Sequence, residues 1–326
     1  MKAAKYIWMN GKMVPWAEAT VHVMAHGLHY GTSVFEGIRC YATNRGPAIF
    51  RLGPHIRRLL DSASVYRMPI AWDAEEIAET CREIIRVNDL QSAYIRPIIW
   101  RGEGTIAVDP QDQCPIEMAV AAFELGAYLG REGIENGIDA CVSSWHRTTS
   151  SSNPVLSKAG GHYTNAYLIG AEARRNGYGE GISVSDKGLV CEGAAANLFM
   201  IRDGVVNTPP LSNSILGGIT RDSAVTLSRD LGLEVIERDF PREMLYTADE
   251  LFLTGTAAEI TPVRSVDRIP VGTGKPGPIT KSIQSAFFGL FTGETPDRHQ
   301  WLDPVETSGG QAKRKNSASE KPATTA

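Results

Sequence analysis

Apolar residues recur along the chain with two distinct periods, and these divide it into strands and helices. Tyr6-Ile7-Trp8-Met9 and Met13-Val14, separated by Asn10-Gly11, read as two short strands about a tight turn. Further strands are predicted from Ser33 to Tyr41 and from Ala48 to Arg51. A helix is predicted from about Pro54, because Ile56, Leu59, Leu60 and Ala63 stand at i, i+3, i+4 and i+7. A second helix, from Ala74 to Val87, places Ile77, Cys81, Ile84 and Ile85 on one face. Strands at Ala93 to Trp100 and Ile116 to Phe123 close this first block.

Gly126 to Gly137 holds four glycines and few apolar residues, which marks a linker over 126–136. Beyond it the pattern predicts a strand from Ile138 to Val142 and a helix from Tyr163 to Arg175. Strands follow near Ile182 to Val184 and Asn197 to Arg202, then a helix from Ile219 to Leu231. Strands at Leu233 to Glu237, Glu250 to Thr254 and Ile260 to Val266 precede a last helix, Ile279 to Leu290. With no internal repeat and 326 residues, the expectation is a two-domain α/β (α+β) protein, with a smaller domain over 1–125 and a larger one over 137–306.

Charge sharpens this picture at the C-terminus. The whole chain carries a net −4, but residues 307–326 hold Lys313, Arg314, Lys315 and Lys321 against Glu320, so removing their +3 leaves −7 on the first 306. An acidic body does not suit nucleic acid, which calls for a basic patch. The tail lacks Val, Ile, Leu, Met and aromatic residues, so a disordered extension is expected there; a basic interaction tail is the alternative. Cys40, Cys81, Cys114, Cys141 and Cys191 form neither a CxxC pair nor an even set, as expected of reduced thiols in a cytoplasmic protein. No segment approaches the roughly 18 apolar residues of a membrane span, and neither secretion nor membrane insertion is expected.

Five places could carry chemistry. Of ten lysines, Lys158 lies in Leu156-Ser157-Lys158-Ala159-Gly160-Gly161, where small residues permit close approach of another molecule. Such a lysine could form a Schiff base if its surroundings supply neutral amine; a surface lysine in a glycine loop is the plain alternative. Leu216-Gly217-Gly218-Ile219-Thr220 leads into a helix whose first N–H groups suit a phosphate, or it is a glycine turn with a threonine cap. Thr254-Gly255-Thr256-Ala257-Ala258-Glu259 offers backbone donors to an anion, or is a simple turn. Glu192, before Gly193-Ala194-Ala195-Ala196, could partner the ring nitrogen of a pyridoxal cofactor, or be a solvated strand-end carboxylate. Tyr94 and Arg96, two apart on one strand face, could receive a carboxylate, or pair with acidic residues at the surface.

Taken in order, these segments resemble the branched-chain amino acid aminotransferases, within the fold type IV pyridoxal-phosphate enzymes of the D-amino acid aminotransferase-like fold. The likeness runs from Tyr6 to Asp303. It is carried by His29-Tyr30-Gly31-Thr32-Ser33-Val34-Phe35-Glu36-Gly37-Ile38-Arg39, Ala93-Tyr94-Ile95-Arg96-Pro97, Lys158-Ala159-Gly160-Gly161, Glu192-Gly193, Gly218-Ile219-Thr220-Arg221-Asp222, and Thr254-Gly255-Thr256-Ala257-Ala258-Glu259-Ile260-Thr261-Pro262.

The resemblance implies that Lys158 binds pyridoxal 5'-phosphate and shuttles the substrate proton, that Glu192 pairs with the ring nitrogen and that Tyr163 bonds the phenolic oxygen. Arg58, Ile219, Thr220 and Thr256 would hold the phosphate, with Leu216 against the ring. Tyr94 and the N–H groups of Thr256 and Ala257 would take the α-carboxylate. Phe35, Gly37, Tyr128 and Tyr163 would line the side-chain pocket, Tyr30 and Val108 would enter from a neighbouring subunit, and Arg96 would meet the distal carboxylate of glutamate. The implied reaction is amino transfer between L-leucine, L-isoleucine or L-valine and 2-oxoglutarate, in a homodimer or a hexamer, with no metal. Rival readings are a D-amino acid or (R)-amine transaminase, an aminodeoxychorismate lyase, and a non-catalytic cofactor carrier. The chain departs from the bacterial pattern at Leu125, where an aromatic residue is usual, at Thr105-Ile106-Ala107-Val108, at Ala196, and in the hydroxyl run Thr148 to Ser152.

Overall fold

The computed structural model describes residues 3–126 and 130–306. Tyr128 and the tail over 307–326 lie outside the described residues. The first half runs β1 (Tyr6–Met9), β2 (Lys12–Pro15), α1 (His26–Tyr30), β3 (Ser33–Phe35), β4 (Ile38–Thr43), β5 (Gly46–Phe50), α2 (Leu52–Val65), α3 (Ala74–Val87), β6 (Ala93–Arg101) and β7 (Ile116–Phe123). After α4 (Arg131–Asn136) come β8 (Ile138–Val142), α5 (Tyr163–Arg175), β9 (Glu180–Val184), β10 (Val190–Gly193), β11 (Asn197–Arg202) and β12 (Val205–Thr208). Then follow α6 (Ile219–Asp230), β13 (Val235–Glu237), β14 (Glu250–Gly255), β15 (Glu259–Val266), β16 (Ile269–Pro270), α7 (Pro278–Thr292) and β17 (Leu302–Pro304).

Two sheets result. The first is antiparallel in the order β17-β5-β4-β6-β7-β1-β2, with β3 added beside β6. Its apolar face takes the stripes of α2 and α3, and Ile56, Leu59, Ile77, Cys81, Ile84 and Ile85 are each at most 2% exposed. The second runs β10-β9-β8-β15-β14-β11-β12-β13, and a further pairing of β10 with β11 closes six of its strands into a ring. Leu198 and Met200 point into that ring, while Phe199 and Ile201 face outward under α6 and α7. Both faces are buried, which is why Leu198 to Ile201 reads as an unbroken apolar run rather than an alternating one.

Several elements differ from the pattern along the chain. α2 starts at Leu52 rather than Pro54, because a proline in the first turn has no N–H to lose there. The glycine-rich stretch after Gly126 holds the six-residue helix α4. The last strand, β17, returns to pair with β5 of the first sheet, and Phe50 and Trp301 pack into the core beneath α6 and α7. This ties the two sheets together.

The strand expected from Ser33 to Tyr41 is two, broken at Glu36-Gly37. The Glu36 carboxylate turns inward and is wholly buried. It accepts from Arg58 Nε at 2.6 Å and Nη2 at 2.8 Å, and from His55 Nδ1 at 2.7 Å. Burial pushes the Glu36 carboxyl up, but the Arg58 charge and His55 outweigh it and hold the group far below its ordinary 4.5. Burial pushes the His55 imidazole down, and because the Glu36 carboxylate can only accept, His55 donates to it from Nδ1.

A depressed carboxyl pKa contributes stability that is complete above about pH 4.5 and drains away as pH falls below it. Glu36→Gln is therefore expected to lower stability by about 3–5 kcal/mol at neutral pH, since it leaves Arg58 buried beside a neutral partner. Thermal melts should also show a weaker dependence on pH below about 4.5 in the variant than in the parent. Equal acid sensitivity in both proteins would contradict this account.

Candidate active site

Lys158 is carried by an extended segment fastened to β3. Its backbone N–H donates to Ser62 Oγ at 3.0 Å, its carbonyl accepts from Phe35 N at 3.0 Å, and Ala159 bridges Val34. The upstream hydroxyl run folds into a turn of its own, with Thr149 Oγ1 and Ser151 Oγ 2.8 Å apart. The Lys158 side chain is half-buried. Nζ donates to the Tyr163 hydroxyl at 2.8 Å and lies 5.1 Å from the Phe35 ring centre. The plain surface-lysine reading does not hold.

Phe35 is the hinge of the cluster. Its ring meets Tyr163 at 4.8 Å between centroids, and the Arg96 guanidinium stacks over it at 4.5 Å. Arg96 Nη2 donates to the Tyr94 hydroxyl at 3.2 Å, while Arg96 Nε is buried with no partner among the described residues. The two-residue spacing on β6 puts both groups on one face, as expected. Gly37 is obligatory here, because a Cβ on it would come within 1.8 Å of the Tyr94 hydroxyl oxygen.

Glu192 is 4% exposed and so not the solvated carboxylate of the plain reading. Arg147 Nη2 lies 2.6 Å from its Oε1, and Oε2 accepts from Asn197 Nδ2 at 2.8 Å and from Leu216 N at 3.2 Å. Burial pushes the Glu192 carboxyl up, and Arg147 and the nearby Lys158 charge act against that rise. Asn197 also donates to the Leu216 carbonyl at 2.9 Å, so Leu216 is pinned beside this carboxylate. A Cβ on Gly218 would lie 1.9 Å from Asn197 Oδ1, which keeps that position small.

The next residues, Ile219 and Thr220, open α6. Its N-cap is Gly218, with no side-chain cap, so the threonine-cap alternative is not what forms. The uncapped N–H groups and the dipole at the start of this 12-residue helix suit an anion. Arg58 stands next to it, with Nη1 donating to the Gly217 carbonyl at 2.6 Å. In the turn after β14, the carbonyls of Thr256 and Ala257 accept from Arg39 at 3.2 and 3.3 Å.

The fold thus gathers Lys158, Tyr163, Phe35, Gly37, Tyr94 and Arg96 into one contact group, with Glu192 and Leu216 in a second and Arg58 beside Ile219 and Thr220. Tyr30 and Val108 stand apart, 44% and 78% exposed, and Tyr30 donates to the Ile106 carbonyl at 2.8 Å. Sequence reasoning missed Glu36, His55, Arg147 and Asn197, and assigned no role to Arg39. Glu36 and Arg39 stood inside a segment already singled out, whereas Arg147 carries no local signal.

These groups suit pyridoxal 5'-phosphate. They offer an amine, a buried carboxylate for the ring nitrogen, a phenol beside the amine, and an uncapped helix start with an adjacent guanidinium for the phosphate. The family model for class IV amino-transferases matches residues 33–266. The branched-chain-amino-acid aminotransferase of Salmonella typhimurium is 55% identical over 94% of this chain and 99% of its own length. The crystal structure of the Escherichia coli branched-chain amino acid aminotransferase superposes with a TM-score of 0.92 at 55% identity, covering 93% of this chain and all of that one. The branched-chain amino acid aminotransferase of Thermobaculum terrenum, solved in its PLP-bound holo form, gives a TM-score of 0.87 at 37% identity, covering 94% of this chain and all of that one. The chain belongs to the class IV aminotransferases, among the branched-chain amino acid aminotransferases, whose cofactor is pyridoxal 5'-phosphate.

Proposed function

We propose that the protein exchanges amino groups reversibly between L-leucine, L-isoleucine or L-valine and 2-oxoglutarate, giving branched-chain 2-oxo acids and L-glutamate. The observation that carries this reading is the Lys158 amine, 2.8 Å from the Tyr163 hydroxyl and walled by Phe35, beneath the Tyr94-Arg96 pair. When bound, pyridoxal phosphate supplies an electron sink that weakens the Cα–H bond of the amino acid. Lys158 Nζ takes that proton and returns it, with the Tyr163 hydroxyl fixing the direction of the amine. Glu192 would accept a hydrogen bond from a protonated ring nitrogen, and the Arg147 charge, which acts against burial, favours the ionised carboxylate that this role needs. Arg58, the N–H groups of Ile219 and Thr220, and Thr256 hold the phosphate, and Leu216 supports the ring.

Substrate binding follows the same geometry. Tyr94 and the N–H groups of Thr256 and Ala257 receive the α-carboxylate, while Phe35, Gly37 and Tyr163 form apolar walls for a branched side chain. Arg96, with an unpartnered buried Nε, answers the distal carboxylate of glutamate. Tyr30 and Val108 complete the pocket of a second copy. Support for that comes from Val21, Val23, Leu28 and Ile106, which are 47 to 68% exposed and share the surface region of Tyr30 and Val108. A homodimer is the minimal assembly in this reading. We divide the chain into a smaller domain ending near residue 125 and a larger one beginning near 137, with β17 returning from the larger to the first sheet. Among the described residues no helix is long and apolar enough to cross a membrane, and the cytoplasm is the location we assign.

The direct test is the near-visible absorption of the purified protein before and after L-isoleucine or D-alanine. The expected result is a cofactor band that converts with L-isoleucine alone; conversion with D-alanine alone would transfer the assignment to D-amino acid chemistry. Lys158→Ala should abolish turnover while the circular dichroism spectrum stays as in the parent. Arg96→Leu should lower kcat/KM for L-glutamate by about 10–100-fold, the loss of one charge-assisted pair, and change that for L-leucine by far less. Equal losses with both amino acids would remove Arg96 from the distal-carboxylate role.

A further inference from the structure

Arg39 and Tyr41 stand two residues apart on β4 and so share one face of it. Both reach across to the turn between β14 and β15 in the other sheet. The Arg39 side chain is 7% exposed, and its guanidinium makes four hydrogen bonds, all to backbone carbonyls. Nε donates to Thr256 O at 3.2 Å and Nη2 to Ala257 O at 3.3 Å, while Nη1 and Nη2 donate to Leu125 O and Gly126 O, each at 3.2 Å. Tyr41 donates its hydroxyl to Glu259 Oε1 at 2.9 Å and stacks on Phe291, with ring centroids 3.5 Å apart. Glu259 sits at φ +55, a left-handed conformation that a long side chain adopts at a cost. The Glu259 carboxylate, itself 8% exposed, lies 4.0 Å from Arg39.

The C=O and N–H of a trans peptide point in opposite directions. Arg39 draws the Thr256 carbonyl to one side, so the N–H of that peptide, which belongs to Ala257, faces the other. The same holds for the Ala257 carbonyl and the Ala258 N–H. None of the N–H groups of Thr256, Ala257 and Ala258 donates to a protein acceptor among the described residues. A backbone turn of this kind would otherwise be free to rotate its peptides, and the buried guanidinium fixes the two that carry the Ala257 and Ala258 N–H groups before any ligand arrives.

We propose that Arg39 and Tyr41 are positioning residues, which preorganise the Thr256-Ala257 turn as a receptor for the α-carboxylate that every amino acid and 2-oxo acid substrate shares. Neither touches the substrate. Arg39 sets the peptide planes, and Tyr41 holds Glu259 in its left-handed conformation at the end of the turn. This inference rests on the functional reading above, and on its assignment of the α-carboxylate to this turn.

The test compares L-leucine with 3-methylbutylamine, which is leucine without its carboxylate, in single-turnover reactions of the cofactor-loaded protein. Arg39→Lys keeps the charge but loses the fork that bridges two carbonyls. It is expected to lower kcat/KM for L-leucine by about 10–100-fold, with reactivity toward the amine and cofactor retention unchanged. Tyr41→Phe, which removes only the hydroxyl, should act in the same direction by about 3–10-fold and provides the test if Arg39→Lys fails to fold. Parallel losses for leucine and amine, or loss of cofactor, would reduce the pair to general structural support and overturn the proposal. Full leucine activity in Arg39→Lys would overturn it as well, by showing that charge alone suffices. A parent protein that leaves leucine unchanged would instead bring down the functional reading, and this inference with it.

Discussion

The pairing of Glu36 with Arg58 is the constraint from which the rest of the site follows. One carboxylate, wholly buried, takes two donors from Arg58 and one from His55, and the remaining Arg58 nitrogen reaches the Gly217 carbonyl at the start of α6. That chain of contacts runs from the first sheet, through α2, to the second half of the molecule. Removing either partner would strand a buried charge, so the pair admits only the arrangement in which both are present. The break between β3 and β4 has a separate cause. Both strands pair with β6 in one register, and Glu36 falls on the inward face with Val34 and Ile38. It donates its N–H to the Pro97 carbonyl at 2.9 Å, and the ladder lapses there because Pro97 has no N–H to return. Gly37 follows because Tyr94 occupies the space beside it.

With that junction fixed, each sheet contributes a complementary half of the chemistry. The first supplies Phe35, Tyr94 and Arg96; the second supplies Glu192, the start of α6 and the Thr256-Ala257 turn. Lys158 belongs to neither sheet by pairing of regular strands. It hangs from a segment that bridges β3 at Ala159 and then opens α5 with Tyr163, so the amine and the phenol that orients it come from one continuous stretch. The short spacing between them makes their 2.8 Å contact a local consequence of the chain path. The Glu192 geometry, by contrast, joins one local donor, its hairpin partner Asn197, to two distant ones, Arg147 and Leu216.

That contrast accounts for what could be read from the amino-acid sequence. The stripes of α2 and α3 and the Tyr94-Arg96 pairing on β6 are local periodicities, and they appear in the structure where the pattern put them. Lys158, Glu192 and the two glycine turns were legible as segments, because small residues beside a charged one leave a trace in sequence. Arg147 was not, since its partner lies 45 positions away and nothing around it is unusual. β17 escaped notice for the same reason: three residues pair with β5 from the far end of the chain, and only tertiary contact makes them a strand. The break at Glu36-Gly37 was hidden by the apolar residues on either side, which continue the strand pattern through it.

The hardest demand on the site is that it accept an apolar side chain and a charged one in the same place. A lysine at position 96 would meet that demand poorly, because a compact ammonium keeps its water and would drag it against the branched substrate. The Arg96 guanidinium carbon lies 4.5 Å from the centre of the Phe35 ring instead, and a guanidinium has a weakly hydrated face and donors at its edge. An aliphatic chain can pack beside that face without stripping a hydration shell, and a carboxylate can approach the edge. The unpartnered Nε marks the donor that the protein itself leaves unused. On the role proposed for Arg96, selectivity for both substrate classes is a property of one side chain's two surfaces, and Tyr94, which accepts from Arg96, and Gly37, which leaves room for Tyr94, matter to substrates that neither of them distinguishes.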